Sequence, residues 1–427
     1  MTTTDTKVSD NTGVDGSKPL LRNSDYLRWF ASDVAADTGD AIRAFAMPLI
    51  ALAVTGSLSL AGVVGAVSMA SSLLATLPGG VVADRVDRKR LMALGHGLGA
   101  LIWISAVIIY FTGYLSTSVL FILAAVAGFR GGFFAGVSIP VLRMLVQPEQ
   151  LPRALAANQA RDGTIRVVSG PLGGLLVAFS VWFPFAVQAV GHVAAWFFSV
   201  SIKADLRPQS GLGEGESLPR VTEQLRAGIA WLREHLALTL LLVIAAVVSL
   251  ASNGVLQTII LALGALGEHG ARIGIVSTAL AVGMIAGSLI AGPLASRAPT
   301  GKLAIGSIMA SALTLMPLLV VRDFWVILTC VGLFGLTVPL FNAAASGWAI
   351  AQIPRTQIGS ITSAAALING GLLPLGPLLA GIGLEMVGFG GTLAVFIALE
   401  AIGAVCMLFI PQFRRLGKPS EWNLEPA

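Results

Sequence analysis

The sequence predicts an all-α integral membrane protein, with twelve transmembrane helices arranged as two pseudo-symmetric bundles of six. Three observations carry this. First, 55% of the 427 residues are apolar (AVILMFWYC) and only 11% are charged, with mean hydropathy +0.84. A protein kept in water by its surface carries about 25% charged residues. Second, apolar runs long enough to cross a bilayer, roughly 20 residues each, recur twelve times. Third, short sequences in the first half return in the second at a separation close to half the chain. GVVADRVDRKRL from Gly80 has a degraded copy, GPLASRAPTGKL, from Gly292, and GPLGG from Gly170 is echoed by GPLLAG from Gly376. Such spacing marks two homologous halves.

The spans fall at about 28–54, 59–82, 91–112, 117–146, 154–179 and 182–202, then 236–264, 272–296, 303–321, 325–351, 357–386 and 391–411. Residues 1–25 form a polar tail without the apolar core of a signal peptide and are expected to be disordered. The bundles then occupy 26–202 and 236–412, joined by a polar segment at 203–235 and followed by a tail at 413–427. Within the joining segment, Val221, Leu225, Ile229 and Leu232 recur at helical spacing, which predicts an amphipathic helix at the membrane surface. Many of the 49 glycines lie inside apolar runs, as expected where helices approach closely in lipid. Cys330 and Cys406 both sit in apolar runs, so no disulfide framework is implied.

Orientation follows from Lys and Arg. Of 27, four lie within spans (Arg43, Arg130, Arg161, Arg166), and the loops of one side hold only Arg272 and Arg322. The remainder fall on the other side, in both tails, the central segment and the intervening loops. The positive-inside rule therefore puts both termini in the cytoplasm of a multi-pass cell-membrane protein, which requires an even number of spans. It also explains the net charge of +5 as topology rather than as a sign of nucleic-acid binding.

The loop after span two reads Gly80-Val81-Val82-Ala83-Asp84-Arg85-Val86-Asp87-Arg88-Lys89-Arg90. It places a helix-packing glycine and an acidic residue beside guanidinium donors, so Gly80, Asp84, Arg85, Arg88 and Lys89 are candidate members of a conformational gating loop. It resembles the signature loop of the major facilitator superfamily, G-x-x-x-D-R-x-x-R-[RK]. In span five, Gly170-Pro171-Leu172-Gly173-Gly174 resembles the G-P-x-x-G-G motif of that superfamily's antiporters, although Arg166 stands where a small residue usually precedes. The longer stretches TGDAIRAFAMPLIAL, GFRGGFFAG and QIGSITSAAALINGG are similar to its drug and siderophore exporter branch, and the resemblance runs over roughly residues 25–412. It implies a transporter moving a small amphipathic molecule outward against protons by alternating access. Spans one, four, seven and ten would line the cavity, and a monomer would be the working unit.

Charges inside the spans are expensive and therefore informative. Asp33, Asp37 and Asp40 fall at i, i+4 and i+7, one stripe on one helical face. Asp40 lies about 18 Å beyond Arg28, near mid-bilayer. A carboxylate there must be protonated or paired, which suits Asp40, with Asp37, to proton coupling; Arg43, one turn on, is the alternative static partner for Asp40. Arg130 in span four faces either Asp40, an anionic solute or a packing partner. Asp162 and Arg166 are spaced as an intrahelical pair and, with Arg130 and Arg43, are alternatively candidates for the electrostatics of the cavity and its solute site. Asn253 and Gln257 in span seven, with Asn342 and Trp348 in span ten, are candidate cavity liners, and Glu400 reads as an interhelical hydrogen-bonding group. His96, His192, His235 and His269 show no metal-ligand spacing, and no nucleophile–base set or phosphate loop occurs. No cofactor or enzymatic activity is expected, and the drive is assigned to the proton gradient. The solute's charge stays open, because the Asp stripe favours a cation and Arg130 an anion.

Overall fold

The structure is a computed structural model. It describes residues 20–83, 85–207, 221–354 and 357–422; Asp84 and most of the N-terminal tail lie outside the described residues. The first bundle comprises α1 (Ser24–Thr55), α2 (Leu58–Ala83), α3 (Arg88–Phe111), α4 (Thr117–Phe134), α5 (Ser138–Leu145), α6 (Leu151–Phe179) and α7 (Trp182–Ser201). After α8 (Val221–Glu234), the second comprises α9 (Leu236–Ala265), α10 (Gly270–Arg297), α11 (Thr300–Leu315), α12 (Phe324–Ala351), α13 (Ile358–Leu372), α14 (Leu375–Met386) and α15 (Gly388–Phe409). No strand occurs among the described residues.

Local chemistry sets the helix ends. Asn23 caps α1, its Oδ1 accepting from the backbone N–H of Asp25 and of Tyr26 at 3.1 Å each; Gly56, at φ +66°, ends it. The fourth span breaks into α4 and α5 where Pro140 lacks the N–H that would bond to Gly136. Pro374 breaks the eleventh in the same way, between α13 and α14. Among the described residues eleven helical segments are long and apolar enough to cross a membrane, and α6, 29 residues long, is not among them. Arg153, Arg161, Asp162 and Arg166 fall in its first sixteen residues, so only the remainder of the fifth span is apolar. It takes the place of the fifth span in the fold, packed between α1 and α10, with its polar first half facing the cavity and solvent.

The expected amphipathic helix forms as α8, but it packs on protein. Gly228 lies directly against the backbone of Ser360 at the start of α13, and Leu232 is 2% exposed. Of its predicted apolar stripe, Ile229 remains exposed.

Both chain ends and α8 lie at one end of the bundles, here the terminal end. The two halves close at the opposite end by backbone contact. A Cβ on Gly174 would fall on the carbonyl oxygen of Gly270, and one on Gly170 would sit 2.6 Å from that of Gly274. Further toward the terminal end the same helices pack less closely: a Cβ on Gly163 would meet only the Ile285 side chain, at 3.9 Å. Gly62 of α2 and Gly381 of α14 repeat the tight contact. Gly80 and Gly292, at the terminal end, have nothing within 4 Å. The halves are in backbone contact at one end and more loosely packed at the other.

Candidate functional site: a charged cavity in the first bundle

A cavity of about 580 Å3 lies in the terminal-side part of the first bundle, between α1, α3, α4, α5 and α6. The stripe of α1 delivers three carboxylates to it, and α6 answers with Asn158 and, one turn on, the adjacent Arg161 and Asp162. Glycines make the room. Gly95 leaves space for the Phe134 ring, and Gly99 for the His192 ring, which lies where its Cβ would be.

The charges form two clusters. In the outer one, the Arg161 guanidinium reaches Asp33 Oδ2 at 3.2 Å, Asp37 Oδ2 at 3.0 Å and Asp162 Oδ1 at 2.9 Å. Ser138 Oγ donates a short hydrogen bond to Asp33. The inner cluster lies deeper. There Arg130 Nη2 donates to Asp40 Oδ2 at 3.2 Å and Oδ1 at 3.4 Å, while Arg130 Nη1 donates to the Gly95 carbonyl at 3.4 Å. Arg43 stands 3.6 Å from Asp40, and Gln188 Nε2 donates to Asp40 Oδ1. The outer cluster thus has three carboxylates around one guanidinium, the inner one two guanidiniums around one carboxylate.

Asp40 pairs both across the cavity with Arg130 and along its own helix with Arg43, so the static partner expected from the sequence and the cross-cavity one are present together. The expected Asp162–Arg166 pair does not form. Asp162 takes the adjacent Arg161, whose side chain turns toward α1, while Arg166 is exposed and makes no ion pair among the described residues. Arg166 continues the line Leu155, Gln159, Asp162 one turn deeper, at helical spacing. Trp348 is 8% exposed and packs edge-on against Phe413, 5.5 Å between centroids, so it belongs to the core rather than to a cavity wall. Asn253 and Gln257 are half-buried, Asn342 is exposed, and none of the three lines this cavity. Glu400 is fully buried and accepts from Ser311 and Ser252, an interhelical bridge as read from the sequence.

At the gating loop, the glycine that admits a neighbour is Gly79, whose Cβ would strike the Phe133 backbone; Gly80 has open space. Asp87 caps α3 through the Lys89 N–H at 2.9 Å, and Arg88 Nη1 reaches Met144 Sδ at 3.2 Å. Arg85 is exposed. The Gly170-Pro171-Leu172-Gly173-Gly174 motif supplies the closed contact between halves: Gly170 and Gly174 face α10, and Gly173 faces Ile42 and Phe45 of α1.

Arg161, Asn158, Gln188 and the histidine pair escaped the sequence reading. His96 and His192 have ring centroids 5.8 Å apart, and His192 Nε2 is 3.3 Å from Gln188 Nε2. For Arg161 a signal existed: a guanidinium inside an apolar span must find carboxylates, and Asp33 and Asp37 had no assigned cation. Among the described residues no group of three or more His, Cys, Asp or Glu is placed to hold a metal ion.

Two six-helix bundles with ion-paired charge inside the spans and a cavity beside it mark a membrane transporter of solutes. Residues 30–260, more than half of the chain, match the family model of the Major Facilitator Superfamily, and the chain belongs to that family. It is 25% identical to macrolide efflux protein A of Streptococcus pyogenes over 336 residues, 75% of this chain and 81% of that protein. It is 26% identical to the enterobactin exporter EntS of Shigella flexneri over 350 residues, covering 79% and 80%. Among solved structures it resembles a bacterial homologue of the iron transporter ferroportin in its inward-facing state, with TM-score 0.72 and 18% identity over 92% of this chain and 99% of that one. The outward-facing state of that homologue overlays less well, at 0.57. These relatives are transporters, not enzymes.

Proposed function

We propose that the protein is a proton-coupled exporter of an amphipathic small molecule, working by alternating access as a monomer in the cell membrane with both termini in the cytoplasm. On that topology the more loosely packed end, where the cavity lies, faces the cytoplasm, and the cavity is loaded from inside. The observation that carries the reading is the Asp40–Arg130 pair at the floor of that cavity. A proton placed on Asp40 discharges the pair and leaves Arg130 with the Gly95 carbonyl, which changes the relative energy of the two arrangements of the halves. Asp37, half-exposed beside Arg161, is the second proton acceptor, nearer the mouth. The gating loop, with Arg85, Arg88 and Lys89, biases the same equilibrium from the cytoplasmic side. A membrane potential supplies about 2.3 kcal/mol per charge per 100 mV, enough to drive such a cycle without a nucleotide or other cofactor.

Inside-out vesicles holding the protein test this. They are energised and then challenged with a panel of drugs and siderophores. Loss of the pH gradient on adding one compound, absent in Asp40→Asn, is the expected result. Silence across the panel with folded protein would overturn the reading in favour of uptake or of lipid movement.

A further inference from the structure

The two charge clusters differ in what they offer to a molecule entering the cavity. In the outer cluster, Asp33, Asp37 and Asp162 surround Arg161 alone, so two negative charges are left without a cation. In the inner cluster, Arg43 and Arg130 surround Asp40, so one positive charge is in excess. Exposure decides which excess a solute meets. The Asp37 and Asp162 side chains are 47% and 48% exposed, whereas those of Arg130 and Arg161 are 9% and that of Arg43 16%. The guanidiniums lie behind the carboxylates. His96, also on the cavity wall, has its Nε2 3.4 Å from Ser32 Oγ.

Asn158 adds an independent observation. It lines the cavity one turn before Asp162, is 6% exposed, and its Oδ1 has no hydrogen-bond partner. A buried acceptor without a donor costs about 1–3 kcal/mol, and native proteins keep few of them. A ligand N–H would satisfy it. Apart from Gln159, the remaining wall is mostly apolar, with Met92, Phe134, Val137, Ile139 and Leu155, and suits a hydrocarbon or aromatic body.

We infer that the cavity takes a cationic amphiphile bearing a protonated amine, held at the outer cluster by Asp37, Asp162 and Asn158, with its apolar body along the α3–α5 wall. The inference deepens the exporter reading by naming the solute class, and rests on that reading only in taking this cavity as the solute site. It disfavours an anionic solute at the outer cluster, because the guanidiniums that line the cavity, Arg130 and Arg161, are both largely buried and already paired with carboxylates.

Three fluorescent probes that share a dansyl body test it: monodansylcadaverine (ammonium), N-butyl dansylamide (neutral) and dansyl-6-aminohexanoate (carboxylate). Binding is read at equilibrium on the full-length protein in nanodiscs, without any gradient. The ammonium probe should bind about tenfold more tightly than the neutral one, as expected for a charge-assisted hydrogen bond, and the carboxylate probe most weakly. Asp37→Asn with Asp162→Asn should erase the preference, and Asn158→Ala should weaken the ammonium probe alone by several-fold. Equal affinities, a preference for the carboxylate, or equal losses for all three probes in the variants would overturn the inference. If the double variant does not fold, the ranking on the unaltered protein decides by itself. Ammonium preference without proton movement in vesicles would sink the antiport reading and leave this one standing. Driven export by a protein that prefers the carboxylate probe would do the reverse.

Discussion

Glu385 and Ser59 tie the two halves together at the end away from the termini. The Glu385 carboxylate, on α14, accepts from Ser59 N at 3.0 Å and Ser59 Oγ at 2.6 Å, and also from Ser57 Oγ at 2.7 Å. All three donors lie at the start of α2, where a negative charge also meets the favourable end of the helix dipole. The neighbouring contact, Gly62 on Gly381 and Pro377, is backbone on backbone and carries no charge. Glu385→Gln keeps the shape and removes the charge. The pair is exposed, so the effect should be modest, a shift of roughly two- to fivefold toward separation at this end. Spin labels at Tyr114 and Val320, on a background lacking Cys330 and Cys406, should report a longer distance in the variant. An unchanged distribution would mean that glycine packing alone holds this end.

The neighbouring glycines Gly79 and Gly80 separate packing from sequence pattern. A Cβ at Gly79 meets the Phe133 backbone, which cannot yield as a flexible side chain can, whereas one at Gly80 meets nothing. Gly79→Ala should therefore destabilise the protein by about 1–3 kcal/mol, the usual range for overpacking. Gly80→Ala should be neutral or slightly stabilising, because Ala is the better helix former by about 1 kcal/mol. Thermal melts of the two purified variants make the comparison directly. Equal losses at both positions would show that a second conformation, in which Gly80 is covered, dominates stability.

The twelve spans, the even count and the duplicated halves were legible because each rests on a property that repeats along the chain: hydropathy, loop charge and internal similarity. The pairing of charges was not. Asp162 and Arg166 have the right spacing along one helix, but spacing does not reveal that Arg161, on the adjacent position, meets Asp33 and Asp37 of α1 and takes Asp162 with them. Asp40 was found because buried charge is rare, while Gln188 and His192, which surround it from α7, look like ordinary polar residues in a span. Trp348 misled for the opposite reason. Its span was expected to line the cavity, but a helix has a core face too, and Trp348 sits on that face against Phe413.

Arg130 meets Asp40 with a planar fork that also holds the Gly95 carbonyl, and a lysine cannot reproduce that geometry. Arg130→Lys keeps the charge balance of the inner cluster but offers a single, hydrated point charge on a shorter stem. Driven export should fall by about tenfold or more, with folded protein recovered in normal amount, since Arg43 and Gln188 still hold Asp40. The measurement is the initial rate of gradient-driven transport, normalised to folded protein. A variant as fast as the parent would show that charge alone, without the paired hydrogen bonds, suffices at this position.

Glu400 is the contrasting buried carboxyl, and it should matter for folding rather than for transport. It lies on α15 with no exposed surface, bridges Ser311 of α11 and Ser252 of α9, and makes no ion pair among the described residues. Nothing connects it to the cavity of the first bundle. Glu400→Ala removes the acceptor of two serine hydroxyls and opens a void, so about 1–3 kcal/mol of stability should be lost. Glu400→Gln, which keeps the volume and one carbonyl acceptor, should recover most of it. Transport per folded molecule should be the same in both variants and in the parent, and proton movement in vesicles should respond to solute as before. A coupling defect in Glu400→Gln at unaltered stability would instead make this bridge part of the transport cycle, because a static hydrogen bond between three helices leaves no room for such a result.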